Sequence, residues 1–264
     1  MPFSPSLVLT QQALEDPNAP RLCWINYALP TNITATSELD IEPASNLGNP
    51  STAFAWQADS TSQQDIDIEV GSLEIDYVGI ARHNLEITAE IRIQVLSNGV
   101  YSTLFDWSNA STAQSILFLF STASPEAVRI SIRNNPNPPR LAVVYVGVAT
   151  RFERNIYVGH TPITMGRNVV SVGGFSESGQ YLGTVTRRES FSNSIDLKNL
   201  TPTYYRTNLD PFVNRRNRTP AFFSWRPDSY PLEVGYVWIT GNPTPTNQRA
   251  NGMMQITLNM EGIV

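Results

Sequence analysis

Apolar and polar residues alternate strictly along several short stretches of this chain. In Asp65-Ile66-Asp67-Ile68-Glu69-Val70 three carboxylates fall on one side and three apolar residues on the other. Ile87, Ala89, Ile91, Ile93 and Val95 alternate with Thr88, Glu90, Arg92 and Gln94, and Val128, Ile130 and Ile132 with Arg129, Ser131 and Arg133. A period of two predicts strands with one wet and one buried face. Residues 77–81 and 141–146 are instead continuously apolar, the pattern of strands covered on both faces. Asn98-Gly99 between two such runs predicts a tight hairpin, because both residues tolerate positive φ. Residues 134–139, with three Asn and three Pro, predict a loop.

The second half continues in the same style. Residues 155–160 and 169–172 read as strands, Gly173-Gly174 as a turn, and 181–186 and 194–197 as two further strands. Residues 222–225, 234–239 and 254–260 read as the last three. One helix is predicted over residues 203–215, with Tyr204, Tyr205, Leu209, Phe212 and Val213 on one side and a break or kink at Pro211. The pattern is therefore all-β. It predicts an N-terminal β-sandwich over residues 1–150 and a second, mostly β domain over 151–264, with residues 1–14 as candidates to pair with the second.

Charge sharpens that division. Residues 1–150 carry six Arg and fifteen acidic groups, a net −9, whereas 151–264 carry eleven Arg, one Lys and eight acidic groups, a net +4. The basic half is too mildly basic for nucleic-acid binding to follow. One cysteine, Cys23, excludes an intrachain disulfide, and two distant histidines, His83 and His160, exclude most zinc chemistry. No apolar run is long enough for a membrane span, and the first residues do not read as a secretory leader.

Candidate chemistry is sparse. Asp65, Asp67 and Glu69 have the spacing of a carboxylate pair or of cation ligands, but no flanking loop builds a cage, and a solvated strand face is the simpler reading. His83 and His160 each follow an apolar run, where a histidine either meets a ligand or orders the loop. Gly174-Phe175-Ser176-Glu177-Ser178 misses a nucleophile elbow at its last position, and phosphate-binding and dinucleotide fingerprints are absent. No enzyme and no cofactor are expected.

Several motifs resemble tail proteins of long-tailed, non-contractile bacteriophages. Thr36-Ser37-Glu38, Pro43-Ala44-Ser45-Asn46-Leu47 and Phe54-Ala55-Trp56 are similar to the opening of a discoidin-like, galactose-binding-type jelly roll, as are residues 65–70 and 76–85. Residues 156–163, Asp210-Pro211-Phe212-Val213 and 220–227 resemble the second part of such tail proteins. The resemblance implies a virion structural protein of the distal tail or baseplate, assembled in the bacterial cytoplasm. Such a protein forms a homo-oligomeric ring and connects tail tube to tip or fibres, without nucleic-acid binding or membrane insertion. The alternative is a carbohydrate-binding module for host-surface glycan. Arg215, Arg216, Arg218, Trp225 and Arg226 are the candidate interface residues, since aromatics and Arg are enriched at interfaces and Lys is depleted. Trp56, His83 and Asn84 are the candidate sugar contacts.

Overall fold

The computed structural model describes residues 7–11, 14–110, 115–215 and 219–263. They form three sheets stacked as layers. The outer sheet runs Ile33–Ala35, Gln64–Glu69, Ala127–Arg133, Glu90–Ser97, Val100–Asn109. The middle sheet runs Leu7–Thr10, Ser115–Ala123, Ile75–His83, Arg140–Gly147, Trp56–Gln57. The basal sheet runs Thr150–Arg151, Arg21–Cys23, Ala221–Ser224, Val234–Ile239, Met254–Ile263, Tyr181–Leu200, Arg167–Phe175, with Thr246–Asn247 also beside Met254–Ile263.

The periodicities dictate this layering. Ile66, Ile68, Ile91, Ile93, Val128 and Ile130 turn inward from the outer sheet onto Val78, Ile80, Val144 and Phe118 of the middle one, making a sandwich. Tyr77, Ala81, Leu117, Leu119, Val143 and Tyr145 leave the opposite face of the middle sheet and meet Cys23, Phe222, Val234 and Tyr236 of the basal sheet. The continuously apolar runs are thus strands covered on both faces, as their composition demands. Asn98 (φ 52°) and Gly99 (φ 73°) make the predicted hairpin turn.

The far face of the basal sheet buries Leu22, Phe223, Val237, Ile195 and Leu197 beneath the helical segment 202–213, whose Tyr205, Leu209 and Phe212 fill this third core. The expected break at Pro211 takes the form of a widened π-turn over Tyr205–Leu209. Proline has no N–H and its ring crowds the carbonyl four residues back, and the wider turn relieves both.

Four expectations are corrected. Residues 155–160 form no strand, and residues 181–200 form one strand of 20 residues where two were expected. Gly173-Gly174 continues a strand, the turn falling at 176–180. Of residues 1–14, expected to pair with the second half, 1–6 and 12–13 lie outside the described residues, and the strand that pairs there is Arg21–Cys23, beside Ala221–Ser224. Leu7–Thr10 instead lies parallel to Ser115–Ala123 in the middle sheet, although the Val8 N–H also donates to the Pro231 carbonyl at 2.6 Å. No helix among the described residues is long and apolar enough to cross a membrane.

Candidate functional site

The three expected sugar contacts do not form a site. Trp56 is fully buried and its Nε1 donates to the Ser37 carbonyl at 2.9 Å, so no ring face is free for stacking. The sequence placed it in a short apolar run, where core packing and display look alike. His83 Nδ1 accepts the Leu85 N–H at 3.1 Å, and burial pushes the ring's pKa down to about 4. It is a neutral ring that orders the end of its strand. Asn84 staples the neighbouring loop, with Nδ2 donating to the Pro138 carbonyl at 2.9 Å and Oδ1 accepting the Arg140 N–H at 2.8 Å.

The acidic strand is ion-paired. Arg129, opposite it in the outer sheet, gives Nε and a terminal nitrogen to the two oxygens of Asp67, each at 2.7 Å, and reaches Asp65 at 3.8 Å. Its guanidinium also lies 4.1 Å from the ring centre of Tyr101, whose hydroxyl donates to Asp67 at 3.2 Å. Hydrogen bonding to Asp67 raises the Arg129 pKa further above its usual value. Farther along this face Trp107 carries Arg133 at 4.0 Å and Arg92 at 4.5 Å. The Arg92 Nε and the Ser131 hydroxyl are buried there without hydrogen-bond partners among the described residues. No group of three or more His, Cys, Asp or Glu side chains among the described residues is arranged to hold a metal ion.

The candidate interface residues separate. Arg215 turns inward rather than presenting its charge. Its guanidinium sits 4.1 Å from the Phe212 ring and 5.7 Å from Trp24, without a hydrogen-bond partner among the described residues, and desolvation lowers its pKa to about 10. A polar loop in sequence gave no sign of the aromatic pocket beneath it. Arg216 and Arg218 lie outside the described residues. Trp225 and Arg226 do converge, with His160, on an open cleft of ≈ 360 Å³. Trp225 stacks on Tyr230 at 5.0 Å and 10°, meets the His160 ring at 4.6 Å, and donates its Nε1 to Glu233. Arg226 stands 5.5 Å from the Trp225 ring. The cleft continues through Asn155 and Arg226 into a polar one of ≈ 450 Å³ lined by Asp16, Asn18, Glu153 and Arg154.

The largest feature was not foreseen. Arg167–Phe175 pairs with the first part of Tyr181–Leu200 as an arm at the margin of the basal sheet. Its tip closes by the Ser176 N–H donating to the Gln180 carbonyl and the Gly179 N–H to the Ser176 carbonyl, both at 2.8 Å. Val169, Val170, Val172, Phe175, Tyr181, Leu182 and Val185 are between 47% and 72% exposed. Consecutive exposed valines mean that neither face of the arm is covered. The sequence showed only two short strands, 169–172 and 181–186, around a turn, because strand periodicity reports which residues share a face and never whether a second layer arrives.

No family model and no curated protein matches the chain. Among solved structures it is similar to chitosan-binding module 1 of a chitosanase/glucanase from Paenibacillus sp. IK-5, at 19% identity over 47% of this chain and 98% of the module, TM-score 0.42. It is similar to module 2 of that enzyme, solved with chitotriose, at 20% identity over 46% of this chain and 99% of the module, TM-score 0.39. A third is the family 32 CBM of C. perfringens NanJ, solved with galactose, at 17% identity over 48% of this chain and 98% of the module, TM-score 0.39. At this level of similarity the β-sandwich rests on its own sheet pairing.

Proposed function

We propose that this chain is a non-catalytic structural protein that assembles with copies of itself into a ring at the distal end of a phage tail, connecting tail tube to tip or fibres. The observation that carries assembly is the arm. A two-stranded hairpin is marginal when left alone in water, and an exposed apolar strand at a sheet margin favours pairing with another chain. This arm has exposed apolar side chains on both faces along most of its length. Association would cover them. The tail setting is supported by the resemblance of residues 156–163, 210–213 and 220–227 to the second part of tail proteins, and a virion location belongs to the same proposal.

Analytical ultracentrifugation and negative-stain imaging of the purified chain test this. The expected outcome is a closed oligomer, reduced to monomer when residues 170–188 are replaced by a short Gly-Ser turn. A wild-type chain that stays monomeric up to its solubility limit would sink the reading.

Glycan recognition is the second reading, and the outer sheet face favours it. Tyr101 with Asp67 and, farther along, Trp107 with Arg92 and Arg133 share that face, a mixture of rings and polar groups suited to a sugar. A chemical-shift titration with galactose and chitotriose, the ligands in the solved complexes of similar modules, decides it. Shifts at Trp107 that disappear in Trp107→Ala support the reading, and no shifts at millimolar sugar retire it.

A further inference from the structure

At the root of the arm an open groove of ≈ 590 Å³ is lined by Thr161, Met165, Arg167, Asn193, Thr240 and Glu261, among others. Asn193 is its anomaly. The residue is 5% exposed on a strand whose inward neighbours, Phe191, Ile195 and Leu197, are apolar. Neither its amide oxygen nor its amide nitrogen has a hydrogen-bond partner among the described residues. A buried amide with both ends unpaired is costly, and native structures satisfy such groups. A backbone peptide group, one donor beside one acceptor, is the complement of a carboxamide. Met165 lines the same groove and is 63% exposed, an unbranched side chain able to give way.

Resting on the assembly proposed above, we infer that this groove receives the tip of the arm of a neighbouring copy, whose backbone pairs with the Asn193 amide. The tip presents Phe175 and Tyr181, side by side at 5.7 Å and largely exposed. Its one charged residue between Gly173 and Gly183 is Glu177. The groove's lining carries one arginine, Arg167, and one glutamate, Glu261, which also accepts from Arg188 at 2.9 Å. Nine residues of strand place the tip roughly 30 Å from its own root, a span that reaches a neighbour. Donor and acceptor are different patches of one chain, so the contact is heterologous. It closes into a ring or runs on as a filament, and it does not stop at a two-fold dimer.

Two variants test this by complementation. Phe175→Asp with Tyr181→Asp spoils the tip and leaves the groove; Met165→Asp spoils the groove and leaves the tip. All three sites are exposed, so both proteins are expected to fold. Each alone should be monomeric. Mixed in equal amounts, they can form one intact tip–groove contact per pair and no more, so sedimentation should show a species of twice 29.3 kDa and nothing larger. Asn193→Leu, which removes the orphan amide without removing volume, should keep or raise the melting temperature while weakening assembly at least tenfold. If wild type assembles but Met165→Asp and Asn193→Leu assemble equally well, the groove is not the acceptor, although the arm remains an assembly element. A mixture that stays monomeric, or that rebuilds the full oligomer, also overturns the tip–groove pairing. A monomeric wild type overturns this and the assembly reading together.

Discussion

The ring of Phe222 occupies the place of a side chain at Gly79: a Cβ there would come within 2.6 Å of it. Gly79 lies in the middle sheet and Phe222 in the basal sheet, so this contact sets how closely the two layers approach. Phe222 also meets Tyr145 at 5.7 Å and Tyr236 at 5.1 Å, which hold its ring in place.

Gly79→Ala should therefore destabilise the protein by about 1–3 kcal/mol, the usual cost of overpacking a filled core. Denaturant unfolding measures it. Phe222→Leu in the same chain should recover part of the loss, because the smaller side chain leaves room. Purely additive effects would show that the two residues do not share this space.

Asp76 accepts the Ala149 N–H at 2.6 Å, yet burial raises its pKa to about 6 from 3.8. The folded state holds this proton more tightly than the unfolded one. Its stabilising contribution is thus present below about pH 4 and lost as pH rises to about 6. Asp76→Asn keeps the acceptor and removes the charge, so it should gain about 1–3 kcal/mol at pH 8 and nothing at pH 3.5. Thermal melts at the two values give the difference.

His83 behaves in the opposite sense. Burial lowers its pKa from 6.5 to about 4, so the neutral ring is favoured by folding. That stability is complete above about pH 6.5 and is lost as pH falls towards 4. Between pH 4 and 6 the Asp76 and His83 contributions offset one another, and Asp76→Asn should steepen the acid side of the stability curve. The ring proton resonances of His83 should not move between pH 8 and 5.5; a titration centred near 6.5 would contradict its burial.

Asp65→Asn with Asp67→Asn removes both partners of Arg129, in groups that are about a quarter exposed. Partly solvated pairs are worth up to about 1 kcal/mol, so the loss should be no larger. Glu69→Gln, exposed at the end of the same strand, should have no measurable effect. Denaturation midpoints compare the two, and equal losses would mean that the Arg129 pairing contributes nothing.

The sequence alone determined the alternating strands over 65–69, 90–95 and 128–133, the Asn98-Gly99 turn and the two doubly covered runs, because alternation, positive-φ tolerance and unbroken apolarity are local consequences of side-chain chemistry. It also carried one face of the helix, since Tyr205, Leu209 and Phe212 follow the helical period. The tertiary structure decided which aromatic and charged residues were displayed. Trp56 and the Arg215 guanidinium are buried because other segments fold over them, whereas Trp225 and Arg226 meet His160 from a segment more than sixty residues away. It alone left the valines of the arm uncovered and the Asn193 amide unpaired, since both depend on what packs against a strand from a distance. Periodicity assigns a residue to a face; only the packing of remote segments sets whether that face meets a core, water or another chain.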